Sequence, residues 1–140
     1  MDERLMYFGD YIKLKRKNKE FTLTETAMHL GIQKSHYSEI ENKRRAPFDG
    51  EKMELFAEYL NLSDDETAIL FDLASKYNRE VPYDIADIFM HGEVGEHART
   101  ALRLSKDCNI PEAEWKQLIR ALEANKAEKK RGDADGSNKK

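Results

Sequence analysis

The chain has 140 residues, of which 39% are hydrophobic and 36% charged, and its formal net charge is -3. That length suits one domain, or a small domain with an appendage. The charged fraction is high for a globular protein, which predicts that part of the chain is an exposed tail. No apolar run approaches the roughly 20 residues of a membrane span, and the N-terminus lacks a signal peptide's basic start and apolar core. We therefore expect a cytoplasmic protein that does not contact membranes.

Positive charge is confined to the two ends of the chain. Residues 1–48 carry 10 Lys+Arg against 7 Asp+Glu, and residues 125–140 carry 6 against 3, so each segment has a net charge of +3. The segments between them are acidic, with a net charge of -6 over residues 49–80 and -3 over residues 81–124. An excess of +3 is equally typical of an ordinary surface, but here the cations cluster, which favours a polyanionic partner. The clustered cations are Lys34, Lys43, Arg44 and Arg45.

The first predicted helix covers residues 5–17. Its apolar residues recur at helical spacing and predict a buried face. They are Leu5, Phe8, Tyr11 and Ile12. The basic run that follows, residues 15–19, is more typical of a solvated face than of a phosphate contact.

Residues 21–47, FTLTETAMHLGIQKSHYSEIENKRRAP, predict two short helices joined by a tight turn. Thr22 and Glu25 have the spacing of a capping box, so the first of these helices begins there and runs to about Leu30. Gly31 ends it, because the residue after a helix often adopts a left-handed backbone that glycine tolerates best.

The second of these helices begins at about Gln33 and has a narrow apolar face. Tyr37 and Ile40 lie three residues apart and face inward. The outer face carries hydrogen-bonding side chains, namely Lys34, Ser35, His36, Ser38 and Glu39. Arg44 and Arg45 follow the helix, where cations complement both the helix dipole and a phosphate backbone.

Two further helices complete the predicted N-terminal domain. Asp49 caps the fourth, whose apolar stripe is Met53, Phe56, Ala57 and Leu60. A second capping box, Ser63 with Glu66, begins the fifth. Its predicted inward residues are Ile69, Leu70, Leu73, Ala74 and Tyr77. Phe71 falls off that stripe, so we expect it to be exposed and to contact either the following segment or a second subunit.

The remainder predicts a linker at residues 78–82, three more helices and a tail. A short helix carries Ile85, Ile88 and Phe89, and a break at His91 and Gly92 precedes a helix over residues 96–107. Pro111 begins the last helix, whose apolar stripe is Trp115, Leu118, Ile119 and Leu122. From residue 126 no apolar periodicity remains, which predicts disorder.

At residues 21–47 the chain resembles the lambda-repressor/Cro-like helix-turn-helix regulators of bacteria and phages, the XRE family. The matching residues are Arg16, Thr22, Glu25, Ala27, Leu30, Gly31, Ile32, Ser38, Ile40, Glu41, Asn42, Arg44 and Pro47. The resemblance covers roughly residues 1–62 and implies a five-helix domain whose third helix enters the major groove, usually as a dimer on a two-fold symmetric operator. Together with the helix pattern it predicts an all-α protein in three parts: a DNA-binding domain over 1–77, a helical region over 78–125 for dimerisation or for signal or partner binding, and a disordered tail over 126–140.

The resemblance also implies a role for particular residues. Base readers would be Lys34, Ser35, His36 and Glu39. Contacts to the DNA backbone would come from Thr22, Gln33, Ser38, Asn42, Lys43, Arg44 and Arg45. Arg16 and Glu41 would form a structural pair that ties the first helix to the third. Three positions depart from the family pattern: Leu23 replaces a common DNA-contacting glutamine, Thr26 a common aliphatic residue and Lys43 a common glycine.

The residues favour a transcriptional regulator over an enzyme. The single cysteine, Cys108, permits neither an intramolecular disulfide nor a cysteine metal site. The four histidines lack metal-ligand spacing and no phosphate loop or nucleophile signature appears, so we expect no cofactor and no catalysis. We expect a homodimeric repressor of the sort found on phages and mobile elements, bound to double-stranded DNA. The alternative is an antitoxin or adaptor whose sixth to eighth helices bind a partner protein.

Overall fold

A computed structural model of the chain describes residues 2–138 and, for side chains, residues 2–132. Every regular element in this part of the chain is helical, which confirms the all-α prediction. The α-helices are α1 Phe8–Asn18, α2 Leu23–Leu30, α3 Lys34–Glu41, α4 Gly50–Tyr59, α5 Asp64–Asn78, α6 Ala86–Met90, α7 Gly92–Cys108 and α8 Glu112–Asn138. Two short 3-10 helices, Glu3–Leu5 and Tyr83–Ile85, precede α1 and α6.

The chain packs as two compact units, Met1–Gly95 and Glu96–Lys140. The first unit holds the hydrophobic core, which lies between α1, α2, α3, α4 and α5. Its buried residues are Phe8, Tyr11, Ile12, Ala27, Leu30, Tyr37, Ile40, Phe48, Met53, Phe56, Ala57, Leu60, Leu70, Phe71, Leu73 and Ala74. The predicted functional boundaries at residues 77 and 125 stay predictions.

Local sequence signals set the starts of α2, α4 and α5. The hydroxyl of Thr22 accepts from the Glu25 backbone N–H at 3.0 Å, and the Ser63 hydroxyl accepts from Glu66 at 3.1 Å. In both cases the glutamate side chain reaches back to the capping residue, so both predicted capping boxes are formed. The carboxylate of Asp49 caps α4 by accepting from the Lys52 N–H at 2.9 Å.

Phe71 is only 3% exposed, so the prediction that it lies on the surface is wrong. Its ring stacks on that of Tyr83, with the ring centroids 5.9 Å apart. Tyr83 belongs to the 3-10 helix beyond the linker and also covers Gly50 at the start of α4, where an added Cβ would lie 2.2 Å from the Tyr83 ring. The contact of Phe71 is therefore with the following segment, one of its two predicted alternatives, and it brings residues 83–90 into the first unit.

Two residues predicted to be buried are exposed. Leu5 is 80% exposed, because it lies in the 3-10 helix Glu3–Leu5 and an extended Met6 separates it from α1. Tyr77 is 59% exposed, because it lies in the last turn of α5, past the buried face that ends at Ala74. The helix after the predicted break also begins earlier than expected, since α7 begins at Gly92 and not at residue 96.

The second unit consists of most of α7 and all of α8, and its apolar side chains are largely exposed. The exposed residues are Leu102, Leu104, Leu118, Ile119 and Leu122. The predicted disordered tail, residues 126–140, extends outside the described residues. Up to Asn138 the backbone continues α8, because the Ala, Glu, Lys and Arg residues from 126 to 131 have high helix propensity.

Candidate nucleic-acid interface

The turn between α2 and α3 sets the angle between these two helices. Gly31 adopts the predicted left-handed conformation, with φ 69°. Behind it, the Ile32 N–H donates to the Ala27 carbonyl at 3.0 Å, which satisfies a carbonyl at the end of α2. Gln33 precedes α3 in an extended conformation, and its side chain makes no capping hydrogen bond. The exposed Gln33 amide is therefore not committed to the helix end.

Three buried residues, Tyr37, Ile40 and Glu41, fix the inner side of α3 to the domain. The side chains of Glu41 and Arg16 form a two-pronged ion pair in which Nε donates to Oε2 at 2.7 Å and a terminal guanidinium nitrogen donates to Oε1 at 2.9 Å. The side chain of Glu41 is 2% exposed and that of Arg16 is 9% exposed. The hydrogen bonds that Arg16 donates to Glu41 raise the pKa of Arg16, and Arg16 also donates to the Phe21 carbonyl at 2.8 Å. One guanidinium thus joins α1, the start of α2 and α3.

Tyr37 lies beside this pair. Burial raises the pKa of its hydroxyl far above its ordinary value, and the negative charge of Glu41 adds to that effect. The hydroxyl oxygen makes no hydrogen bond to any residue that the structure describes. Tyr37 is therefore a packing residue whose hydroxyl stays protonated at neutral pH.

The opposite side of α3 is polar and exposed. Lys34, Ser35 and His36 are consecutive in its first turn, and all three are exposed. Glu39, one turn further on, forms an ion pair with Arg45, which lowers the pKa of the Glu39 carboxyl chiefly through the hydrogen bond from Arg45. The four predicted base readers thus share one helix, but three are free for solvent and one is held by an arginine.

The cations after α3 point in different directions. Lys43 has a left-handed backbone, φ 64°, which explains why glycine is common at this position in proteins that the sequence resembles. Its ammonium group lies 3.1 Å from the Asp10 carboxylate and 5.4 Å from the centre of the Tyr7 ring, so it is turned towards α1. Arg44 is exposed. Arg45 therefore pairs with α3 through Glu39, whereas Lys43 pairs with Asp10 of α1.

A groove of about 570 Å³ runs between α3 and the start of α4. Gln33, His36, Arg45 and Lys52 all line it. Sequence reasoning did not single out Lys52. The available signal was its position in the first turn of α4, where a cation opposes the helix dipole and so needs another reason to be present.

The remaining predicted phosphate contacts take part in local hydrogen bonds. The Thr22 hydroxyl is occupied by the capping box. The Asn42 side-chain amide donates to the Ser38 hydroxyl at 3.4 Å, across one turn of α3. Within the described part of the chain no group of three His, Cys, Asp or Glu side chains has the geometry of a metal site.

A family model for a helix-turn-helix domain matches residues 9–79, about half of the chain. The chain belongs to this helix-turn-helix family. The match confirms the resemblance drawn from residues 21–47 and is consistent with an XRE-like regulator. Searches of curated proteins and of solved structures give no match.

The helix-turn-helix domain suggests a DNA-binding regulator, and domains of this family are typically non-enzymatic. It comprises α1 to α5, and so includes the groove, the buried ion pair and all the predicted DNA contacts. Among the helices that the structure describes, none is long and apolar enough to cross a membrane.

Proposed function

We propose that this protein is a sequence-specific repressor that binds a two-fold symmetric operator as a homodimer. The observation that carries the proposal is the two-sided character of α3. Its inner side is fixed by the buried Arg16–Glu41 pair, and its outer side presents Lys34, Ser35 and His36 without partners in the helix. A rigid helix with an exposed polar first turn is what reading of base edges requires.

Base recognition would use the hydrogen-bonding capacity of the exposed turn. Lys34 would donate to guanine O6 and N7, and Ser35 and His36 would reach neighbouring base edges or phosphates. Glu39 would accept from a cytosine amino group, for which its ion pair with Arg45 keeps the carboxylate ionised and oriented. Each such base contact contributes about 1 to 3 kcal/mol of discrimination.

Backbone contacts would surround these readers. Arg44 and Arg45 lie after the C-terminal end of α3, and Gln33 and Lys52 line the groove between α3 and α4 together with Arg45. The start of α2 at Thr22 offers backbone N–H groups to a phosphate. Ser38 and Asn42 would contribute from α3 itself, and Lys43 would join them by exchanging Asp10 for a phosphate.

Repression would be steric. A dimer would place its two α3 helices in successive major grooves, about 34 to 36 Å apart, and cover the promoter against polymerase. The second unit supports dimerisation, because its exposed leucines and isoleucine form apolar surface that a second copy would bury.

Fluorescence anisotropy with the DNA upstream of the protein's own gene tests the proposal. We expect binding that survives excess random duplex and weakens as salt is raised, since phosphate contacts release counterions. An Arg16→Lys variant, which keeps the charge but loses the two-pronged geometry, should bind more weakly. Equal binding to upstream and random duplex would contradict sequence-specific regulation.

The same exposed apolar surface supports a second candidate, an antitoxin or adaptor whose α6 to α8 bind another protein. The two candidates differ in what covers α8. Light scattering on the purified full chain should give a dimer for the repressor. A monomer that becomes a one-to-one complex with the product of a neighbouring gene would favour the adaptor.

A further inference from the structure

An apolar groove lies in the first unit beside the C-terminal end of α3. It has a volume of about 340 Å³ and is formed by the start of α1, the end of α3 with the loop after it, and the end of α5. Phe8 and Ile40 form its buried floor, Pro47 one edge, and Tyr7 and Tyr77 its exposed aromatic walls. We call it the Tyr7 groove.

The two tyrosines of the Tyr7 groove are largely exposed to solvent. Tyr7 is 71% exposed and Tyr77 59%, although both lie against the floor of the Tyr7 groove. Large apolar side chains gathered around a concave surface mark binding sites more often than they mark ordinary surface. Cavities that bind small molecules begin at roughly 300 Å³, so the Tyr7 groove suits a small ligand.

The charged residues that line the Tyr7 groove are both cations, Lys43 and Arg45. Lys43 already lies 5.4 Å from the centre of the Tyr7 ring. A second cavity of about 340 Å³ shares Tyr7, Phe8 and Tyr77, and its charged lining residues, Arg4 and Lys76, are cations as well. Among the described residues no acidic side chain lines either cavity. Apolar surface bordered by positive charge complements an apolar anion.

We propose that the Tyr7 groove binds a small aromatic carboxylate. The aromatic ring would pack between Tyr7 and Tyr77 in an offset or edge-on arrangement. The carboxylate would accept charge-assisted hydrogen bonds from Lys43 and Arg45, whose present carboxylate partners, Asp10 and Glu39, lie outside the groove lining.

Lys43 and Arg45 also belong to the proposed DNA-binding surface. A carboxylate bound between them would reduce the positive charge offered to phosphates, which gives the regulator a means of responding to a metabolite. This consequence rests on the proposed function, whereas binding in the Tyr7 groove does not. The binding test below therefore contains no DNA, so that failure of one proposal is distinguishable from failure of the other.

The test is a titration of the isotope-labelled full chain with phenylacetate, followed by two-dimensional NMR, with the neutral isostere phenylacetamide as the matched ligand. We expect saturable shifts of backbone amides confined to the residues that line the Tyr7 groove. Phenylacetamide should bind about tenfold more weakly, because it keeps the ring and loses the charge-assisted hydrogen bonds.

Two variants locate the site. Lys43→Asn removes the charge while keeping a residue that tolerates a positive φ, and it should weaken phenylacetate binding about tenfold. Tyr77→Ala removes one exposed wall of the Tyr7 groove and should weaken the binding of both ligands. Lys17→Asn, an equal loss of charge on the exposed end of α1, should change neither affinity. Equal affinity for the two ligands, shifts centred on α7 or α8, or groove shifts that depend on protein concentration, as a second copy would cause, would each overturn the proposal.

Discussion

The two compact units differ in how much of their apolar surface they bury. In Met1–Gly95, the apolar residues of five helices form one core, and even the arginine that joins α1 to α3 is buried. In Glu96–Lys140, the apolar stripe of α8 is mainly exposed although its helical spacing is clear. Isolated helices are marginally stable in water, so burying this stripe would stabilise the second unit more than the first, whose core is already buried. The first unit therefore holds its surface on a packed core, whereas the second leaves its apolar stripe exposed.

The Arg16–Glu41 pair offers the largest expected effect on the first unit. Arg16→Ala leaves Glu41 buried without its cation and should lower the free energy of unfolding by about 3 to 5 kcal/mol. Urea denaturation followed by circular dichroism measures it. Lys17→Ala, the neighbouring exposed cation, should change stability by less than about 0.5 kcal/mol. Similar losses for both variants would show that the buried pair does not hold α3.

Substitutions on α8 should affect association of the second unit without affecting the stability of the first. Leu118→Asn with Leu122→Asn removes apolar surface that is exposed in the single chain, so the unfolding of the first unit should stay unchanged. The proposed dimer should weaken by about a hundredfold or more, because two leucine side chains per subunit, and so four per dimer, leave the interface. Analytical ultracentrifugation gives the dimer affinity, with Gln117→Asn as the control. An unchanged dimer together with a destabilised first unit would contradict the division.

Gly50 and Tyr83 test the edge of the first unit. An alanine Cβ at Gly50 would displace the Tyr83 ring. Gly50→Ala should therefore lower the free energy of unfolding by about 1 to 2 kcal/mol, despite the better helix propensity of alanine. In a Tyr83→Ala background the same change should be neutral or stabilising. A double-mutant cycle measured by thermal denaturation isolates the coupling. Additive effects would show that residues 83–85 do not pack on α4.

Glu66 should give the first unit a small pH dependence at acid pH. The hydrogen bond from Lys15, whose ammonium lies 2.8 Å away, lowers the pKa of Glu66 from 4.5 to about 2. Because the unfolded chain binds the proton first, the stabilisation is complete above about pH 4.5 and is lost as the pH falls towards 2.

Since Glu66 is about one-third exposed, we expect solvent screening to reduce this contribution to about 1 kcal/mol. Glu66→Gln keeps the capping box and should remove the contribution, so wild type and variant should differ in stability at pH 6 and converge near pH 2. A constant difference across that range would contradict the role of the Lys15 ion pair.

Sequence reasoning was most successful where structure is set locally. Both capping boxes and the left-handed Gly31 depend on residues three or four positions apart, so their spacing predicts them. The prediction that Phe71 is exposed was wrong because Tyr83, which covers it, lies beyond a linker and leaves no periodic signal in the sequence of α5. The prediction that Tyr77 is buried was wrong for the converse reason, since the helical spacing of apolar residues continues past the point where the core ends.

The candidate site shows the same limit. The exposure of Lys34, Ser35 and His36 follows from the position of the apolar face of α3. The partners of Glu39 and Lys43 do not, because Arg45 and Asp10 reach them through tertiary structure. Lys52 joins the groove for a similar reason, as α4 carries it towards the loop after α3.

Selection from a randomised duplex library would test most directly whether the exposed turn of α3 reads sequence. Wild type, Lys34→Ala and Arg44→Ala would be compared at two salt concentrations. We predict that Lys34→Ala relaxes the preference at one base position of each half-site, and that Arg44→Ala weakens all sequences alike and reduces the salt slope by about one. Equal, sequence-independent losses for both variants would contradict the assignment of Lys34 as a base reader, and no enriched sequence with wild type would contradict sequence-specific binding altogether.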